Sequence, residues 1–183
     1  QLDDKGLQQV RLRDIALIPQ GAMNSLNPVM RIGHQMKDAI EAHESGRISK
    51  KAMDERIGNQ FARVGLPPTV ANRYPHELSG GMKQRAVMAI STVLNPKVIV
   101  ADEPTSALDV VVQRQVMQTL GRLQEGIGSA VVLIGHDMGL IAQFADLIGV
   151  MYAGRLVEIG PVDDVLQSPR HPYTKLLIES LPK

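Results

Sequence analysis

Four stretches of this 183-residue chain carry residue types that could do chemistry. In Val98-Ile99-Val100-Ala101-Asp102-Glu103-Pro104, an apolar, β-branched run delivers two adjacent carboxylates at the C-terminal end of a strand, where α/β sheets place ligands. Neighbouring strand residues point to opposite sides, so the pair should divide the work. One carboxylate can hold a divalent cation through a water while the other polarises an attacking water. In Leu78-Ser79-Gly80-Gly81-Met82-Lys83-Gln84-Arg85, two glycines let the backbone approach an anion, and the next helix aims its free N–H groups at the same spot. His136 and Gln20 each follow a short apolar run, Ala130–Ile134 and Ile15–Ile18. Taken singly, each stretch is ordinary: a solvated acidic loop, a Ser-Gly-Gly turn, a structural histidine and an uninformative glutamine.

The elements that must position them follow from periodicity. Ile15–Ile18 reads as a strand closed by Pro19-Gln20, and GAMNSLNP as a loop. Ile32, Met36, Ala39, Ile40 and His43 share one helical face, and Gly46 interrupts. Ser49 is a good N-cap for a second helix, with Ile48 and Met53 placed for a hydrophobic staple; Met53, Ile57, Phe61 and Val64 form its stripe and Gly65 stops it. A helix from about Met82 to Leu94 is expected after the Ser-Gly-Gly turn, ended by Asn95-Pro96. Val98–Ala101 and Ala130–Ile134 read as strands buried on both faces. Between them Asp109 caps a helix whose stripe is Val112, Val116, Leu120 and Leu123. Residues 148–150 and 156–159 read as a hairpin through Ala153-Gly154. The tail carries a short helix from Pro161, a Ser168-Pro169-Arg170-His171-Pro172 breaker and an amphipathic helix with Leu176, Leu177 and Leu181. A helical insert followed by strand–helix–strand with short loops is half of a parallel α/β domain.

Composition narrows the function classes. Lys+Arg number 20 against 19 Asp+Glu, a net +1, which argues against binding nucleic acid by bulk charge. Aromatic residues are 3% with no Trp, too few for a base-stacking platform. Without Cys there is neither a disulfide scaffold nor a Cys-ligated metal site. No apolar run approaches the roughly 20 residues of a spanning helix. His34 and His43 lack the spacing of a helical metal pair, and Lys50-Lys51, Arg11 and Arg13 read as solvated faces.

Order turns the weak signals into one strong one. Gln20, a helical insert, LSGGMKQR, VIVADEPTSALD and IGHD follow one another along the whole chain, which resembles the nucleotide-binding subunit of ATP-binding cassette (ABC) transporters. Met23-Asn24-Ser25-Leu26-Asn27-Pro28 and His171-Pro172-Tyr173-Thr174 resemble the oligopeptide, dipeptide and nickel import branch. Gly21-Ala22 departs from that branch, which usually carries an acidic residue and Pro there. The fold implied is α/β, a partial P-loop NTPase (ABC ATPase) core with an α-helical subdomain. Residues 1–20 would end the first part of the core, 21–95 form the helical subdomain, 96–160 the later core and 161–183 a C-terminal extension.

The resemblance implies ATP and Mg²⁺ as cofactors. It makes Asp102 and Gln20 the Mg²⁺ contacts, Glu103 the general base and His136 the contact to the γ-phosphate. Ser79, Gly80 and Gly81 would bind the nucleotide held by a second ABC ATPase subunit, in a homo- or heterodimer, and residues 106–109, ending at Asp109, would cross that interface. The loop at Gln20 (the family's Q-loop) and the helical subdomain would dock transmembrane permease subunits, placing the protein peripherally on the cytoplasmic side of the membrane, with no nucleic-acid partner. Met23, Met30 and Met36 are candidate adaptable contacts there, or ordinary core and surface Met.

A phosphate-binding loop requires G-x-x-x-x-G-K-[ST], and the chain contains no Gly-Lys dipeptide. Together with a polar start lacking Met, this reads as the C-terminal portion of an ABC ATPase, expected by itself to be inactive and to self-associate through uncovered sheet edges. A non-catalytic ABC-fold interaction module and a non-transport ABC ATPase are the alternative readings.

Overall fold

The computed structural model describes residues 3–44, 46 and 48–180. Leu181, expected on the last helical stripe, lies outside them. The chain divides into two compact units, Gln1–Ile134 and Gly135–Lys183.

In the first unit a short helix, α1 (Asp4–Val10), has Asp3 as its N-cap, accepting the Gly6 N–H at 2.8 Å. The polar composition of this stretch hides it from periodicity. Three strands form a parallel sheet in the order β1 (Ile15–Ile18), β2 (Val98–Asp102), β3 (Ala130–Ile134). Its register pairs Ile15 with Val98 and Ile18 with Ala101, then Val98 with Ala130 and Asp102 with Ile134. The register is pinned at one end by Asp14, whose carbonyl accepts the Lys97 and Val98 N–H groups while its carboxylate meets Lys97 Nζ at 2.8 Å.

Between β1 and β2 lie α2 (Ile32–Glu41), α3 (Lys50–Arg63) and α4 (Gly80–Thr92), with 3₁₀ turns at Ala22–Asn24, Pro68–Asn72 and Pro75–Glu77. Gly21, in the left-handed region at φ +64°, makes the turn that opens the first of these. Ser49 caps α3 as expected, accepting Ala52 N–H, and Ile48 and Met53 join the same core. α5 (Val110–Ile127) runs from its Asp109 cap back to β3 and buries Val116, Met117, Leu120 and Leu123. These helices bury Ile18, Met36, Ile40, Phe61, Met88 and Ile99 completely.

Two expectations change. β2 and β3 are not buried on both faces. Ile99 and Ala101 are fully covered, whereas on the opposite face Ile15, Leu17, Val132 and Ile134 keep 46–56% of their surface exposed. Within the first unit, α4 and α5 pack with Ile18, Ile99 and Ala101 on that covered face. The helix expected from Met82 starts two residues earlier, because Ser79 is its N-cap and both glycines lie in the first turn. Their value is close approach and not freedom of φ: a Cβ on Gly81 would lie 2.6 Å from Val112 Cγ1 on α5.

The second unit contains α6 (Met138–Ile141), the antiparallel hairpin β4 (Leu147–Tyr152) and β5 (Arg155–Pro161), α7 (Val162–Gln167) and α8 (Pro172–Glu179). Ala153 and Gly154, both at positive φ, make the expected two-residue turn. Ile148, Val150 and Val165 form a small core joined by Val157, Tyr173 and Leu177. No described helix is long and apolar enough to cross a membrane.

Two packing features give testable outcomes. Buried Gln60 on α3 donates to Ala89 O at 3.1 Å and to Thr92 Oγ1 at 2.8 Å on α4. Gln60→Leu should lower stability by about 1–3 kcal/mol in urea unfolding, because the amide's partners are left unpaired in the core. Gly81→Ala should cost about 1–3 kcal/mol by overpacking, and Val112→Ala should restore most of it in a double-mutant cycle.

Candidate functional site

The parallel register brings Gln20 and Glu103 together. β1 and β2 pair residues 83 apart, Ile18 with Ala101, and two residues further on Gln20 Nε2 donates to Glu103 Oε2 at 2.8 Å across the same separation. Both side chains leave the sheet at the carboxyl ends of adjacent strands, the place where open α/β sheets bind ligands. The bond commits the Gln20 amide nitrogen to the carboxylate and leaves its carbonyl oxygen as an acceptor.

Asp102 ends β2, opposite Ile134, and Glu103 leaves the strand at φ +43°. This is left-handed backbone in a residue that rarely adopts it, held because Glu103 N–H donates to Ile134 O at 2.9 Å and Glu103 O accepts Ser106 N–H at 3.0 Å. Ala107, at φ +61°, is a second such residue within the same turn. Neither was legible in the sequence, since neither Glu nor Ala signals positive φ as Gly or Asn does. The turn ends at Asp109, whose Oδ1 accepts Val112 N–H at 3.0 Å and starts α5.

Ser79 sits exposed at the start of α4, its Oγ accepting Met82 N–H at 3.4 Å. A hydroxyl that accepts in this way keeps its own hydrogen for an anion, beside the N-terminal amides of the 13-residue α4. Gly80 is packed so that a Cβ would come 3.3 Å from Met23 Sδ and 3.5 Å from Leu108. The glycine turn is therefore seated between the loop after Gln20 and the turn after Glu103. Met23 contributes here by packing, a role the sequence left undecided. His136 is exposed in the second unit, next to Asp137, which caps α6 through the Leu140 N–H at 2.9 Å.

Among the described residues no group of three or more His, Cys, Asp or Glu side chains could hold a metal ion. Mg²⁺ is usually held by one or two carboxylates, with phosphates and waters completing its shell, and Asp102 is the carboxylate that ends β2.

Comparison with known proteins shows the chain's family and fold. The ABC transporter family model matches residues 1–106, and the model described as "oligopeptide/dipeptide transporter, C-terminal region" matches residues 157–183. The chain is 44% identical to the oligopeptide transport ATP-binding protein OppD of Bacillus subtilis over 99% of its own length and 51% of that protein. It is likewise 44% identical to the dipeptide transport ATP-binding protein DppD of Lactococcus lactis, over 99% of its length and 52% of the relative. It thus spans about half the length of these curated relatives. The dimeric post-hydrolysis structure of the ATP-binding cassette MJ0796 bound to ADP and Pi superposes with a TM-score of 0.75 at 29% identity, covering 88% of this chain and 68% of that one. The α/β core with its helical insert is that of an ABC ATPase cassette, and the chain belongs to the ABC transporter family.

Proposed function

We propose that this chain is part of the ATP-hydrolysing motor subunit of an importer for peptides, with nickel as the other cargo class of the branch. The observation that carries the proposal is the Gln20–Glu103 hydrogen bond at the ends of paired strands. It sets the Gln20 amide against the Glu103 carboxylate, which supports a reading in which the first would sense a ligand and the second would take a proton from water. The importer reading draws on the OppD and DppD relatives and on the C-terminal region that the chain shares with oligopeptide/dipeptide transporters.

Glu103 would act as general base, oriented by Gln20 and by its own strained backbone. Asp102 and the Gln20 carbonyl would hold Mg²⁺, which when bound supplies charge neutralisation at the phosphate oxygens. Ser79, Gly80 and Gly81 would bind the γ-phosphate of ATP held by a second ABC ATPase subunit, with Asp109 at that interface, and His136 would contact a γ-phosphate. Phosphoryl transfer depends on positioning and electrostatics more than on covalent chemistry, and these groups supply positioning. Segments 1–20 and 96–160 would act as core, 21–95 as the helical subdomain that meets transmembrane permease subunits at the cytoplasmic face, and 161–183 as an extension.

The 183 residues contain no G-x-x-x-x-G-K-[ST] loop, so by themselves they should neither hold ATP tightly nor hydrolyse it. Mg²⁺-dependent phosphate release by the chain alone, abolished by Glu103→Gln, would overturn that expectation. A chimaera that joins the phosphate-loop segment of the Bacillus subtilis relative to this chain should gain ATPase activity. Glu103→Gln in that chimaera should lower kcat by about 10²–10⁴-fold, the share a general base contributes. A folded but inert chimaera would remove the motor reading.

A further inference from the structure

The second unit ends in a segment that is tied back to its own hairpin. On β5, Glu158 lies across from Val150 on the side of the hairpin that faces the small core. Its Oε1 accepts the Arg170 N–H at 2.8 Å and its Oε2 accepts the His171 N–H at 3.0 Å. These amides stand at the N-terminus of α8, where a negative charge is favoured by both the free N–H groups and the helix dipole. His171 continues the cap, its Nδ1 accepting the Tyr173 N–H at 3.1 Å. Beyond this point α8 lies on the hairpin: the Tyr173 and Tyr152 rings are 4.5 Å apart, Thr174 is fully buried and Leu177 joins the core of Ile148, Val150 and Val165.

We propose that Glu158 is a latch that holds residues 168–180 as a strap over the β4–β5 hairpin, closing the oligopeptide/dipeptide C-terminal region upon itself. That region's match begins at Val157, one residue before the latch, and includes the whole strap, so one carboxylate joins its first strand to the segment that leads into α8. The arrangement is economical in sequence terms. Pro169 and Pro172 forbid continuous helix through the breaker and leave the Arg170 and His171 amides without helical partners. A bidentate carboxylate satisfies both. Without it, α8 would rest on packing through Tyr173, Thr174 and Leu177, and a two-stranded hairpin is at best marginally stable without a covering element.

The charge on the latch is secure. Glu158 is lowered to about 2, chiefly by the Thr174 hydroxyl, then by the Arg170 and His171 amides, with a smaller favourable contribution from the His171 charge. The Thr174 hydroxyl bears on the carboxylate without reaching hydrogen-bond geometry, so the two amides are the defined bonds. A depressed carboxylate contributes stability that is complete above the ordinary glutamate range and is lost progressively as pH falls from that range through about 2. Arg170 and His171 are the basic side chains at the strap's end of the contact. Val150 faces Glu158 from β4, and Asp163 and Asp164 are the acids of the first turn of α7.

Limited trypsinolysis of the 183-residue chain, paired with amide hydrogen exchange, tests the latch. Cleavage follows Arg170 and Lys175, both within the strap. Glu158→Ala should raise cleavage at these two bonds by about tenfold or more, because proteolysis tracks the open population when closing is fast. Exchange protection should fall in α8 and remain in β2. Glu158→Gln, which keeps one carbonyl oxygen for one amide, should fall between wild type and Glu158→Ala. Strap cleavage and α8 exchange within about twofold of wild type in Glu158→Ala would overturn the proposal, since a latch controls the open population. Equal loss of protection in β2 would also overturn it, because Glu158 would then hold the whole fold and not the strap.

Discussion

The parallel pairing of β1 with β2 is the constraint on which the site depends. Hydrogen bonds between these strands fix a separation of 83 residues, and the same separation reappears as a side-chain bond just past the strand ends. A slip of β1 by one residue would turn Ala16 and Ile18 out of the core and carry Gln20 away from Glu103 together. Burial of one sheet face therefore specifies which side chains meet at its end. The Asp14–Lys97 contact fixes the opposite end of the pair, so the register is held at both termini.

The helical insert is coupled to this sheet through α4. Its apolar residues pack on the same face that Ile99 and Ala101 present, and Ser91 Oγ donates to Leu17 O at 3.3 Å. Its first turn meets α5 at Gly81 and the loop after Gln20 at Gly80, with no room for a side chain at Gly81. Gln60 and Thr92 tie its other end to α3 through a buried polar network, which is costly to disturb because each member depends on the others. A displacement of the insert would thus be felt at the serine–glycine turn and around Gln20 and Glu103, all within the first unit. The sheet's other face, with Ile15, Leu17, Val132 and Ile134 half exposed, is unusual for parallel strands, which are ordinarily covered on both sides.

Much of this was legible in residue order. The Ser49 and Asp109 caps, the Gly65 stop, the hairpin turn and the apolar stripes of α3 and α5 follow from local chemistry that acts within three or four residues, and they stand where expected. The α1 helix did not, because seven residues held by a single aspartate cap carry no apolar period. The start of α4 shifted because Ser79 can be either a loop residue or a cap, and only the hydrogen bond to Met82 N–H decides. The depth of β2 and β3 was overestimated because an apolar, β-branched run looks alike whether one face or both are covered.

By itself, the sequence determined the types and order of the longer helices and of the strands, and the residues with chemical potential, because capping, periodicity and turn formation are short-range. Tertiary structure decided which of those residues meet. Gln20 touches Glu103 only because strands far apart in the chain pair in one register, and Glu103 and Ala107 take left-handed backbone only because the turn around them is closed by bonds to Ile134 and Ser106. Glu158 likewise reads as an ordinary strand residue until the chain returns and offers it two amides that two prolines have left unpaired. Long-range pairing and the satisfaction of stranded backbone groups are properties of the folded chain, and no local pattern encodes them.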